Sequence, residues 1–343
     1  MRTILTGLFI LVTCLAACLS CNQTYTLSPL PVLPTPTFTR TPCGYPGNTC
    51  TPTNTPTATK TPIPTYTFYR RISNALDTTT GQFFYATGVA VDSNLNLFVS
   101  ECNADRVQKY NASGNFVTSW GAYGTANGQF QNPFSLGVDP AGNVYVADTG
   151  NYRVQVFNNN GGYITKWGSQ GAGAGQFNTG DGPSVSPVGN IYLADTNNNR
   201  VEEFTTAGTN ITTWGSFGSG NGNLNGPYSV AVESTGNVYV ADSGNNLIQV
   251  FDAAGNFLSQ LGPNIGGALS GERFLAFAPS GMLFISDWGN NRIVECTPSG
   301  TYLTSFGSFG YNPGQFDVPQ QIAVDKNGFV YVANSEYVDI FKP

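Results

Sequence analysis

The sequence predicts an all-β fold: a six-bladed β-propeller of four-stranded antiparallel blades, with the last blade closed by an N-terminal strand. Three observations carry this prediction: a repeat of about 47 residues, four strand signals in each unit, and one spare strand ahead of the first unit. Phe83, Phe130, Phe177, Leu224, Leu269 and Phe316 each open a unit. Glu101, Asp148, Asp195, Asp242, Asp287 and Asn334 end the second strand of each, spaced 47, 47, 47, 45 and 47 residues. Trp120, Trp167, Trp214, Leu261 and Phe306, each followed by Gly, form a third series. All three series share one two-residue deletion between Leu261 and Leu269, so they mark a single repeat. Repetition at this period is the signature of supersecondary units that bury their faces against neighbours.

Within a unit the signals are those of strands. In the second they read Leu136-Gly137-Val138-Asp139, Val144-Tyr145-Val146-Ala147, Val154-Gln155-Val156-Phe157 and Tyr163-Ile164-Thr165-Lys166-Trp167. Turns lie between them at Pro140-Ala141-Gly142-Asn143, at Thr149-Gly150-Asn151 and at 158–162. Short β-branched and aromatic runs punctuated by Gly and Asn argue for strands over helices. Four such strands form one propeller blade. The sixth unit, 316–343, stops after its third strand, Tyr337-Val338-Asp339-Ile340-Phe341. Tyr66-Thr67-Phe68-Tyr69-Arg70-Arg71-Ile72 supplies the missing one and brings the total to 24 strands. It is expected to complete the last blade and hide edges that would otherwise invite pairing with other chains.

The remainder divides into an address and a tether. Residues 1–17 read as an export signal: Met1-Arg2, then an apolar run over 4–15, too short to span a bilayer. Leu15-Ala16-Ala17-Cys18 resembles the bacterial lipobox, which implies lipidation at Cys18. An ordinary Ala-type cleavage site, or Cys21, are the alternatives. Leu19 after the cysteine favours the outer membrane by the same resemblance. Residues 18–65 are a Thr/Pro tether: the 44 residues from 22 to 65 hold 10 Pro and 14 Thr, and cannot bury a core. Cys43 and Cys50 flank a short segment that a disulfide would close in an oxidising envelope. The propeller occupies 66–343.

Composition narrows the chemistry. The chain of 343 residues has no His, a net charge of −6 and only 10% charged residues. Without imidazole there is no His zinc ligand, no Ser-His-Asp triad and no His general base. From residue 66 onward eleven basic residues face twenty acidic ones. That opposes binding along a phosphate backbone, so nucleic acid is not an expected partner.

Units such as Phe130, Pro133, Val138-Asp139, Gly142-Asn143-Val144-Tyr145-Val146-Ala147-Asp148, Asn151-Tyr152-Arg153-Val154, Val156-Phe157 and Trp167-Gly168 resemble the NHL repeat, in register over 83–343. The resemblance implies the propeller fold and leaves function open, because such propellers serve unrelated roles. Among NHL-like enzymes, the peptidyl-amidoglycolate lyase holds zinc through His at the channel mouth. The corresponding places here are Phe134, Tyr228 and Gln320. Streptogramin-lyase-like propellers depend on His as well. A lactonase-like site needs no His and would have to recruit Asp181 with Glu272 or Asn132.

Candidate residues fall into two groups. Glu101 with Arg106, Asp148 with Arg153, Asp195 with Arg200, and Asp287 with Arg292 recur at the turn after the second strand, and recurrence favours structural turn clamps over catalytic pairs. Unit four has Leu247 in place of Arg and unit six has Asn334 and no Arg, so the clamp reads as dispensable one blade at a time. Thr87, Phe134, Asp181, Tyr228, Arg273 and Gln320 break the repeat just before each innermost strand, and are expected to ring one mouth of the channel as a small binding site. Trp288 replaces Thr149, Thr196 and Ser243 on the same face and is expected to be an exposed contact residue. The innermost strands centre on Ala90, Gly137, Ser184, Ala231, Ala276 and Ala323, with large residues such as Val138 and Phe277 beside them filling the core between blades. No cofactor and no metal site is expected. The sequence thus favours a membrane-anchored, non-enzymatic binding or scaffold module of the cell envelope, taking a protein, peptide or glycan at one face. A metal-dependent lactonase- or lyase-like enzyme is the alternative.

Overall fold

The computed structural model describes residues 65–74 and 82–343; the export signal, Cys18, the Cys43/Cys50 pair and the tether up to 64 lie outside the described residues. The side chains of Glu272 and Arg273 lie outside them too. The described chain folds into six four-stranded sheets. Blades one to five each follow chain order from an inner strand to an outer one, and every pairing is antiparallel. Their inner strands are Ala86–Val91, Pro133–Val138, Gly180–Val185, Pro227–Val232 and Glu272–Phe277.

The sixth blade has inner strand Ile322–Val324, then Val330–Asn334 and Tyr337–Lys342, and the N-terminal strand Thr67–Ile72 completes it. Thr67 pairs with Lys342 and Ile72 with Val338, with one bulge between Phe68 and Arg70. The spare strand expected from the sequence therefore sits at the edge it was expected to close.

Second strands such as Leu97–Glu101, Val144–Asp148 and Ile191–Asp195 are buried at every residue, because blades cover both of their faces. The core accordingly splits into six clusters, one in each joint between neighbouring blades. The repeat markers pack these joints. Phe130, Phe177 and Phe316 are fully or almost fully buried, and each meets a third-strand Phe of its own blade at 5.5–5.7 Å. Trp120, Trp167 and Trp214 reach forward to the same Phe of the next blade at 5.8–6.0 Å. The Gly after each Trp is required by geometry. Gly168 sits at φ +105°, and a Cβ there would lie 2.5 Å from Phe177.

The sixth blade also carries a clamp that the sequence reading missed. Arg71 of the N-terminal strand donates to fully buried Asp339 through Nε at 2.6 Å and Nη2 at 2.8 Å. It also donates to the carbonyls of Tyr311 and Asn312. In blade two Arg153 does the same with Asp148 and with the carbonyls of Thr125 and Ala126, the repeat equivalents of Tyr311 and Asn312. The clamp of the sixth blade is thus not dispensed with but supplied by the strand that closes the ring.

Replacing Arg71 with Ala strands a buried carboxylate, which costs on the order of 3 kcal/mol. Chemical denaturation of Arg71→Ala is expected to show that loss, and Arg71→Ala with Asp339→Asn to regain part of it. Equal stability of Arg71→Ala and the parent contradicts the assignment.

Candidate functional site

Antiparallel order puts the turns after the second strands and the loops between blades on one face, called here the loop face. At each turn a buried carboxylate organises that face. Asp148 accepts from Arg153 Nε (2.6 Å), Gln155 Nε2 (2.9 Å), Asn151 Nδ2 (2.9 Å) and the Gln131 amide (2.7 Å). Asp195 and Asp287 repeat the pattern with Arg200 and Arg292, and Glu101 pairs with Arg106. Asp242, which has no Arg, is satisfied by Gln249, Asn245 and the Asn225 amide. The clamps therefore tie a turn, a third strand and the loop that leads into the same blade into one rigid unit.

Blade three differs from blades one, two and four in placing Glu202 where they have Gln108, Gln155 and Gln249. Arg200 bridges Asp195 at 2.8 Å and Glu202 at 2.7 Å. Burial is the main cause that pushes both carboxyl groups above their usual range, and Arg200 and the amide donors offset it only in part.

The mouth residues sit on irregular backbone. Register shifts interrupt the inner strands between Ala86 and Gly88, Pro133 and Ser135, Asp181 and Ser184, Pro227 and Val230, and Glu272 and Leu275. Bulges re-aim side chains, and here they direct them toward the axis. Phe134 and Tyr228 meet at 5.9 Å, and both meet Phe274 at 6.3 and 5.6 Å. These residues come from blades two, four and five, so the trio closes the channel from several sides. Thr87, Asp181 and Gln320 are buried around it. Thr149 Oγ1 donates to Asp181 at 3.0 Å. Buried Thr87 Oγ1 and Gln320 Oε1 have no hydrogen-bond partner. The aromatic members of the expected ring are thus packed together as a plug. Phe274, one register position beyond Arg273, was missed because only the bulge brings it in; Arg273 itself lies outside the described side chains.

Beneath the plug a cavity of about 210 Å³ runs along the inner strands. Ala90, Gly137, Ser184, Ala231, Ala276 and Ala323 line it, as their small size suggested. Val138 and Phe277 also line it while packing against the joint clusters, so they divide their surface between core and channel. Trp288 is half-buried over Gly271, not exposed, because the left-handed backbone at Gly271 lets the ring lie down. Cys102 and Cys296 are buried in blades one and five, and burial pushes the Cys296 thiol up to about 12, which leaves it unreactive at neutral pH.

The NHL repeat model matches residues 130–157 and 224–251, the cores of blades two and four. None of the curated proteins matches the chain. Among solved structures, a streptogramin B lyase aligns with TM-score 0.59 at 13% identity, over 81% of this chain and 97% of that one. A catalytically inactive histidine-to-alanine variant of virginiamycin B lyase from Staphylococcus aureus, with quinupristin, aligns with TM-score 0.56 at 14% identity, over 81% and 100%. A chain of a nidogen/laminin complex aligns with TM-score 0.54 at 15% identity, over 69% and 84%. At these identities the likeness is one of fold.

Because the folded pKa of Glu202 lies above its unfolded value of about 4.3, stability is lost as pH rises through that window. Glu202→Gln is therefore expected to melt above the parent at pH 7, with the gap narrowing toward pH 5. A gap that widens on acidification contradicts the assignment. The chain is a six-bladed β-propeller that carries NHL repeats in its second and fourth blades.

Proposed function

We propose that the protein is an exported, lipid-anchored binding or scaffold module, lifted from the membrane by its Thr/Pro stalk, that presents the loop face to a protein, peptide or glycan of the cell envelope. The observation that carries this reading is the plug. Phe134, Tyr228 and Phe274 fill the mouth with packed rings, and the cavity below is lined by residues such as Ala90, Gly137, Ser184 and Ala231, with no titratable side chain. Such a mouth holds shape, and among the described residues the cavity lining below it carries no carboxylate, amine, thiol or phenol. The likeness to streptogramin and virginiamycin lyases concerns the fold, and this chain has no His. The clamps support the same reading. They hold the loops rigid, and rigid loops bind with less ordering cost.

Two experiments test it. Inserting a small folded tag after exposed Asn127 masks the loop face, whereas the same tag after Val188, 84% exposed on an inner-strand turn, masks the opposite one. The Asn127 insertion is expected to abolish retention of envelope components on the immobilised protein and the Val188 insertion to preserve it. Retention unaffected by either tag contradicts the reading. Separately, Cys18→Ala is expected to move the protein from the membrane to the soluble fraction; a variant that stays membrane-bound rules out Cys18 as the anchor.

A further inference from the structure

The six blades are not equivalent: they alternate. Pro133, Pro227 and Pro319 open the even blades, where the odd ones have Ala86, Gly180 and Glu272. The joints alternate with them. From odd to even blade, the left-handed turn residue bridges at the rim. Asp105, Asn199 and Asn291 accept from the amides of Asn132, Gly226 and Val318 at 2.9, 2.9 and 3.1 Å. From even to odd blade, the bridge lies at the axis. Ser135, Ser229 and Gln321 accept from the amides of Gly182, Leu275 and Val89 at 2.8, 3.0 and 3.1 Å. The ring is therefore three two-blade units.

What this pseudo-threefold ring displays is a set of aromatic side chains. Tyr123, Phe217 and Phe309 occupy one repeat position in the three odd-to-even loops, one-third of a turn apart, and are 72%, 73% and 63% exposed. The even-to-odd loops carry exposed Gln170 and Asn264 there instead. Each aromatic station has polar company. Gln131 Nε2 donates to the Tyr123 hydroxyl at 3.2 Å, and Asn223 Nδ2 donates to Ser216 Oγ beside Phe217 at 2.8 Å. Tyr311, 61% exposed, stands edge-on to Phe309 at 6.1 Å. The loops over 121–132 and 215–226 contain no Asp, Glu, Lys or Arg, and the equivalent loop over 307–318 holds one charge, Asp317, which accepts from the Tyr311 hydroxyl at 3.1 Å.

We propose that the loop face is a three-station platform for an uncharged, hydroxyl-rich polysaccharide, with Tyr123, Phe217 and Phe309 each stacking on a sugar ring. This rests on the loop face being the binding face. An aromatic face carries partial negative charge and attracts the polarised C–H groups of a pyranose, while neighbouring amides and hydroxyls serve its oxygens. Loops without Lys or Arg on an acidic domain give an anionic polymer nothing to pair with. A protein interface needs a contiguous, desolvated apolar centre, and these stations are single or paired rings separated by Gly, Ser and Asn. Three weak stations at one repeat position suit a repeating polymer, for which linked contacts raise avidity.

The test is depletion of the full chain from solution by insoluble cellulose, curdlan and mannan, with immobilised polygalacturonate as the anionic control. At least one neutral polysaccharide is expected to retain the protein. Changing Tyr123, Phe217 and Phe309 together to Ser is expected to weaken retention by on the order of 10-fold or more, with the melting midpoint held because the rings are exposed. No retention by any of the three, stronger retention on polygalacturonate, or a triple variant that binds like the parent overturns the proposal. So does a triple variant that loses an envelope protein partner and no polysaccharide. If the Asn127 tag abolishes envelope binding and the triple variant keeps it, this proposal falls and the binding-module reading stands. If neither changes binding, both fall.

Discussion

A ring of sheets has to be closed by strand pairing, and in this chain one pairing does it. The strand Thr67–Ile72 lies against Tyr337–Lys342, joining the two ends of the described propeller. Without it the third strand of the sixth blade would present a row of open backbone groups. Ile72 would leave the cluster it shares with Phe83, Tyr110, Val338 and Ile340, which seals the joint between blades six and one. Asp339 would lose Arg71 and keep its charge in a fully buried place. Away from the axis, where Phe134, Tyr228 and Phe274 meet across blades, each core cluster joins two neighbouring blades, so the loss of one joint weakens the whole ring.

The buried carboxylates carry that order outward to the loop face. Each ends a second strand and accepts an amide from the segment that leads into the same blade, as Asp148 does from Gln131 and Asp287 from Ser270. The Arg partners then reach across to loop carbonyls, Arg200 to Ala172, Gly173 and Gln176. Loops rich in Gly and Ser would otherwise be mobile; here they are pinned at several points. That rigidity is what lets exposed rings such as Phe217 hold fixed positions.

Much of this was legible in the chain. The period, the four strands, the spare strand and the carboxylate–Arg pairs all recur in register, and recurrence is visible without contacts. Arg71 was not legible, because it belongs to no repeat position and its partner lies 268 residues away. The mouth was legible as a position but not as a plug. Reading by strict register pointed to Arg273, whereas a bulge turns Phe274 inward. Trp288 was misjudged for a related reason: its exposure depended on the backbone of Gly271 beneath it. The two-blade alternation did leave a signal in Pro133, Pro227 and Pro319, but its meaning needed the joints that only the fold displays.

Closure is tested most directly by deleting residues 66–73 from the full chain and following both thermal unfolding and amide exchange. The account predicts a melting midpoint lower by at least about 10 °C, with rapid exchange along Tyr337–Lys342 and Val330–Asn334. A deletion variant that melts with the parent and keeps those amides protected would contradict it.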